Sequence, residues 1–141
     1  MGETSQGLTY PTYENIVDLN IRQIQRTGGN LDGAGKFHNE NSLLWVLDAI
    51  QHPLYYPTIS QKAAALAWTI INGHVFIDGN KRTGISALMI FLRLNGFRLA
   101  GTDAEIMRVA IQVANAHGEN YTREQFAEWV KKHLMFILPP T

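Results

Sequence analysis

The sequence has no cysteine. That removes disulfide staples, thiolate nucleophiles and cysteine-held zinc together, and it fits a reducing compartment. It has no excess charge of either sign: twelve basic and twelve acidic side chains cancel to a formal net charge of zero. No global field would hold such a chain on nucleic acid or anionic lipid, so any anion recognition must be local. Long hydrophobic runs are missing too. The apolar stretch 134–138 falls far short of the roughly 20 residues that span a bilayer. It reads as a packed last turn, ended by Pro139 and Pro140. Residues 1–6 are polar and no apolar stretch follows, so no secretory signal is expected. Gly2 does not start a myristoylation pattern, because Gln6 stands where Ser or Thr is wanted. Repeats and low-complexity tracts are absent.

What is present describes one ordinary folded domain. Hydrophobic residues make up 45% and charged residues 17% of 141 positions, enough for one core and too little length for two. The expectation is a loose tail over residues 1–7 and a single cytoplasmic domain over residues 8–141, with no nucleic-acid or membrane partner.

Apolar residues recur at helical spacing throughout, which predicts an all-α bundle. A first helix runs from about Tyr13 to Thr27 and stops at Gly28-Gly29. Residues 28–40 hold four glycines and read as a loop, with room for a short hairpin. Further helices are predicted over 41–51, 60–73 and 80–95, the last closed by Gly96. Thr102 with Glu105, and Thr122 with Gln125, match the capping box and start helices five and six. Residues 63–71 and 85–94 are apolar nearly all round, Arg93 being the one charge in either. Helices of that kind belong in the middle of a domain, so a central antiparallel pair is expected, joined by residues 74–79. Trp45, Trp68 and Trp129 fall on apolar helical faces and are expected in the core. His38, His52, His117 and His133 show no metal-ligand spacing, and His117-Gly118 reads as a helix end.

The joint between the two apolar helices carries the chemistry: His74, Val75, Phe76, Ile77, Asp78, Gly79, Asn80, Lys81, Arg82. Helix N-termini carry partial positive charge and favour carboxylates, yet Lys81 and Arg82 sit in the first turn of the fourth helix. An anion bound there reverses that cost. Free backbone N–H groups, close approach at Gly79, Asn80, the Lys81 ammonium and the Arg82 guanidinium would form a phosphate cradle. Asp78 at its edge could hold Mg²⁺, which accepts one or two carboxylates beside phosphate oxygens. His74 could take the proton of an incoming hydroxyl near neutral pH. Taken singly, each part has a plainer reading. His74 alone could cap a helix, Asp78 alone could be an N-cap, and two cations alone could be a solvated face. Phe76 is assigned to packing, as the anchor that pins the loop to the core.

The run closely resembles the HxFx[D/E]GN[G/K]R signature of the Fic/Doc family, with matches at His74, Phe76, Asp78, Gly79, Asn80, Lys81 and Arg82. The resemblance extends more weakly to the Gly-rich stretch after helix one and to the helix ending in Leu94-Asn95-Gly96. It implies a Fic-like helical fold and transfer of a phosphate-containing group from ATP to a protein. It implies His74 as base, Asp78 as the Mg²⁺ ligand and Gly79 to Arg82 as the anion hole.

Two departures point to the Doc (death-on-curing) toxin branch. AMP-transferring members usually have Gly where Lys81 stands, and a second arginine where Ile85 stands. Without that arginine the resemblance implies transfer of the γ-phosphate of ATP to a hydroxyl, on a translation elongation factor. AMP transfer by the same site is the first alternative, and a non-catalytic module that docks an anionic peptide is the second. The self-inhibiting pattern [S/T]xxxE[G/N] does not occur. Its candidates Glu14-Asn15, Glu40-Asn41 and Glu119-Asn120 have Tyr10, Lys36 and Asn115 at the required Ser/Thr position. By resemblance, restraint would come from a separate antitoxin protein. Residues 28–40 are either a flap that positions the target chain or a plain surface loop.

Overall fold

The computed structural model describes residues 7–137; the expected tail, Gly7 apart, and the closing prolines lie outside them. Six α-helices carry the fold: α1 (Tyr13–Thr27), α2 (Glu40–Ala49), α3 (Ile59–Asn72), α4 (Asn80–Leu94), α5 (Asp103–Ala114) and α6 (Arg123–Lys132). A 3-10 turn, Leu31–Gly33, interrupts the glycine-rich connection, and strands β1 (Phe97–Leu99) and β2 (Leu134–Phe136) form one antiparallel pair. The all-α expectation holds, with this small ribbon added. No helix among the described residues is long and apolar enough to cross a membrane.

Local chemistry explains the helix boundaries. The two capping boxes read from sequence form at Thr102/Glu105 and Thr122/Gln125, and two more form at Thr12/Asn15 and Thr58/Gln61. In each, the threonine oxygen accepts the third N–H of the helix while that residue's side chain accepts the threonine N–H. Gly28, left-handed at φ 71°, closes α1 by donating to the Ile24 carbonyl at 2.9 Å. Helix α5 ends at Ala114 with Asn115 as its cap, so His117-Gly118 lies in the turn beyond rather than at the helix end.

The core is built on α3 and α4 as expected, but α4 is not buried all round: Met89, Ile90 and Leu94 stay at the surface. Helix α3 is buried at Ile59 and Ser60, from Lys62 to Ala67, and again at Ile70 and Ile71, with Gln61 exposed at its capping box. It packs most extensively on α4 and next on α6, while α1 covers the other side of α4. Gly84 permits the close crossing: a Cβ there would lie 2.5 Å from Ile71 Cγ1. Lys62 is fully buried and donates its ammonium to the Ile50 carbonyl, at the negative end of α2.

Two packing expectations need correction. Trp45 is 57% exposed rather than in the core. The buried stripe of α2 is Leu43, Val46 and Ala49, and Trp45 sits about 100° off it at helical pitch. Trp68 and Trp129 are half-buried against the core. The apolar run after His133 is strand β2 rather than a last helical turn: Phe136 pairs with Phe97 and Leu134 with Leu99. A short apolar run suits either state until a partner strand is present.

Candidate active site

The α3–α4 joint begins with a helix stop of unusual composition. The Val75 N–H reaches back to the Ile70 carbonyl at 3.2 Å and the His74 N–H to the Ile71 carbonyl at 3.4 Å. This is the Schellman arrangement, and it places His74 at the left-handed position that glycine normally fills. His74 has φ 48°, the single positive value outside glycine among the described residues. A left-handed L-residue costs about 1–2 kcal/mol, so the fold carries strain to present an exposed imidazole here.

The rest of the loop is held by side chains that turn inward. Asn80 brackets Phe76: its Oδ1 accepts the Phe76 N–H at 2.9 Å and its Nδ2 donates to the Phe76 carbonyl at 2.8 Å. Phe76 is 1% exposed and stacks on Phe37 at 5.0 Å between centroids, which stacks in turn on Tyr13 at 5.6 Å. These contacts pack Phe76 into the core beneath the loop. Asn80, expected in the anion cradle, spends its side-chain amide on the loop, which leaves only its backbone N–H for such a role.

Asp78 is half-buried, and each of its carboxylate oxygens accepts one backbone N–H: Oδ1 from Gly79 at 2.8 Å and Oδ2 from Asn30 at 2.9 Å. Those bonds orient the group and leave lone pairs free. No cluster of three or more His, Cys, Asp or Glu side chains suits a metal among the described residues. One carboxylate beside a phosphate cradle suits Mg²⁺, which keeps waters and binds substrate phosphates; Asp78 fits that ion.

Helix α4 then starts differently from its neighbours. Its N-cap is Gly79, left-handed at φ 77°, with no side-chain cap; α2 also lacks one, while α1, α3, α5 and α6 have capping boxes. The first intrahelical bond is from the Thr83 N–H to the Gly79 carbonyl at 2.9 Å, so the N–H groups of Asn80, Lys81 and Arg82 have no intrahelical acceptor. The Gly79 N–H is already given to Asp78. Gly79, expected in the anion cradle, therefore has its N–H engaged and only its left-handed conformation to contribute. Lys81 and Arg82 are exposed and have no salt-bridge partner among the described residues, where the pair formed is Arg22–Asp18.

Residues 28–40 lie directly against this joint. They form no hairpin of their own. Instead Phe37 makes an antiparallel bridge to Phe76, with Ile77 N–H on the Lys36 carbonyl at 3.1 Å and the His38 and Asn39 N–H groups on the Val75 carbonyl at 2.8 and 2.9 Å. The Tyr13 hydroxyl donates to Glu40 at 2.5 Å and clamps the far end of the segment. That bond, more than desolvation, pushes the Tyr13 hydroxyl above its usual range.

Three residues that sequence reading missed complete the site. Asn20 is fully buried, donating to the Asp78 carbonyl at 2.8 Å and to Thr83 Oγ1 at 3.1 Å and accepting the Gly35 N–H at 2.8 Å. Gly35 is left-handed at φ 74° and leaves no room for a Cβ beside Ile21. Asn30 supplies the amide for Asp78. The available signal was Asn20 itself, an amide on the apolar stripe of Ile16, Leu19 and Ile24. A cavity of about 690 Å³ between α2, the connection to α3 and α6 contains none of these residues.

Comparison with known proteins follows the same residues. A sequence model of the Fic/DOC family matches residues 10–92, from three residues before α1 through most of α4. Toxin Doc of Mycolicibacterium smegmatis is 47% identical over 45 residues, covering 32% of this chain and 35% of that protein. The match spans about a third of that curated relative's length.

Proposed function

Because the chain belongs to the Fic/DOC family, we propose that it is a Doc-like toxin that transfers the γ-phosphate of ATP to a serine or threonine hydroxyl of a protein. The observation that carries the reading is the start of α4 without a side-chain cap, where three N–H groups have no intrahelical acceptor and two exposed cations have no salt-bridge partner among the described residues, next to a strained, exposed His74. The polyphosphate of ATP satisfies all of these at once. Arg82 would grip phosphate oxygens as a fork and Lys81 as a point charge, with the Asn80 to Arg82 amides filling the cradle. Asp78 would hold Mg²⁺, which when bound offsets charge on the phosphate oxygens.

His74 takes the proton of the target hydroxyl as the oxygen–γ-phosphorus bond forms. The bond from that phosphorus to the bridging oxygen breaks, and its electron pair leaves with ADP, whose charge the cradle offsets. The segment 28–40, bridged to the loop through Phe37, is the natural support for the target chain beside His74. A translation elongation factor is the proposed target and a separate antitoxin the proposed restraint.

Ile85 favours phosphate transfer over AMP transfer. It is 6% exposed and belongs to the core, so that position offers no second cation for the outer phosphates. The test uses ATP labelled separately at the α and γ positions, with intact mass of the target. Transfer of γ label with about 80 Da added is expected; α label with about 329 Da added would replace phosphate transfer by AMP transfer. Growth arrest that survives His74→Ala would instead favour a docking module.

A further inference from the structure

We infer that Asn20 is a positioning residue for this transfer, setting the Asp78 peptide, the first turn of α4 and the 28–40 segment in one register through a single buried amide. The inference deepens the functional reading above and rests on it for its consequence, though not for its geometry. Asn20 stands where α1 otherwise buries Ile16, Leu19 and Ile24. An apolar side chain would serve if only packing were required, since a buried amide is costly unless bonded. Here both amide hydrogens and one oxygen lone pair are used, on partners 58, 63 and 15 residues away in sequence. A flipped amide would set carbonyl against carbonyl at Asp78 and N–H against N–H at Gly35, so the partners determine its orientation.

What it holds is the frame of the chemistry. The Asp78 carbonyl and the Gly79 N–H belong to one planar peptide. Asn20 fixes the carbonyl end, and the N–H end fixes Asp78 Oδ1. The direction of the carboxylate therefore depends on the Asn20 amide. The same amide binds Thr83 one turn into α4, and Gly79 packs on it closely enough that a Cβ would lie 3.4 Å from Asn20 Nδ2. Through Gly35 it fixes the segment whose far side bridges Phe76. Nucleotide cradle and target support thus share one hinge pin.

The experiment compares the full chain carrying Asn20→Ala with one carrying Leu43→Ala, a fully buried α2 residue outside the network. Two properties are read: ADP affinity by calorimetry with and without Mg²⁺, and exchange of the Ile77 and Gly79 amide hydrogens by NMR. In Asn20→Ala we expect the Mg²⁺-dependent part of ADP affinity to fall about tenfold or more, as when a group orienting a metal ligand is removed. Both amides should exchange faster. Leu43→Ala should lose thermal stability while changing neither property beyond that loss. Wild-type values in Asn20→Ala, or equal changes in both variants, overturn the inference. Should Asn20→Ala fail to fold, Thr83→Val removes one of the three bonds at constant shape. It should shift both readouts the same way by about threefold, and wild-type values there overturn the inference as well. A wild-type chain that binds no ADP defeats the functional reading, while the exchange comparison still decides the register role.

Discussion

Replacing His74 by glycine should make the protein more stable and inactive. The imidazole is exposed, and no hydrogen bond from its ring occurs among the described residues. Removing it at the surface should therefore change stability by no more than about 0.5 kcal/mol. The backbone is the larger effect. At φ 48° any side chain with a Cβ pays about 1–2 kcal/mol for the left-handed conformation. Glycine relieves that cost but gives back about 0.4–1 kcal/mol through the greater freedom of its unfolded chain. His74→Gly should thus exceed His74→Ala by about 0.5–1 kcal/mol, roughly 2–3 °C in Tm for a chain of this size. Both variants should lose transfer by about 10²–10⁴-fold, the usual contribution of a positioned base. Thermal unfolding of the three proteins, together with single-turnover phosphate transfer, checks both halves. A glycine variant less stable than the alanine variant refutes the strain argument. Activity retained in either refutes the base assignment.

Other perturbations probe the supports of the site. A Cβ added at Gly29 would lie 2.7 Å from Asp78 Oδ2, so Gly29→Ala should displace the carboxylate without touching its chemistry. Mg²⁺-dependent nucleotide affinity should fall while the circular dichroism spectrum stays unchanged, and unaltered affinity would argue against Asp78 as the ligand. Gly84→Ala should gain about 1 kcal/mol in helix propensity and lose about 1–3 kcal/mol by overpacking against buried Ile71. A net loss in urea denaturation is expected, and a net gain would show that the α3–α4 crossing has slack. Lys62 tests pH linkage, since burial lowers its ammonium below the ordinary lysine range. Below that depressed value both states hold the proton and the burial cost is fully present; as pH rises toward the ordinary range the folded chain releases it first and stability recovers. The stability of Lys62→Met relative to wild type should therefore decline across that alkaline window, and a constant difference would contradict the shift.

Much of the architecture was legible because it is written in local terms. Helix α1 occupies the span its apolar spacing and the glycines after it predict, and the threonine caps of α5 and α6 form as read. The motif's residue types and the misplaced cations on α4 were visible without coordinates. Trp45 and strand β2 were not. The width of the buried stripe on α2 depends on what packs there, and β2 exists because Phe97–Leu99 is available to pair with it.

The roles within the site divide along the same line. Sequence by itself determined which chemistry was on offer: a histidine, a carboxylate and two cations at the joint of the two most apolar helices. Only the tertiary structure decided how each is held. Asn80 turns inward to Phe76, the Gly79 N–H goes to Asp78, His74 takes a glycine's conformation, and Asn20 reaches across to three separate segments. The physical reason is that a helix or cap is satisfied by partners three or four residues away. A buried amide or carboxylate is satisfied by whichever backbone group the fold brings to it, here up to 58 residues distant.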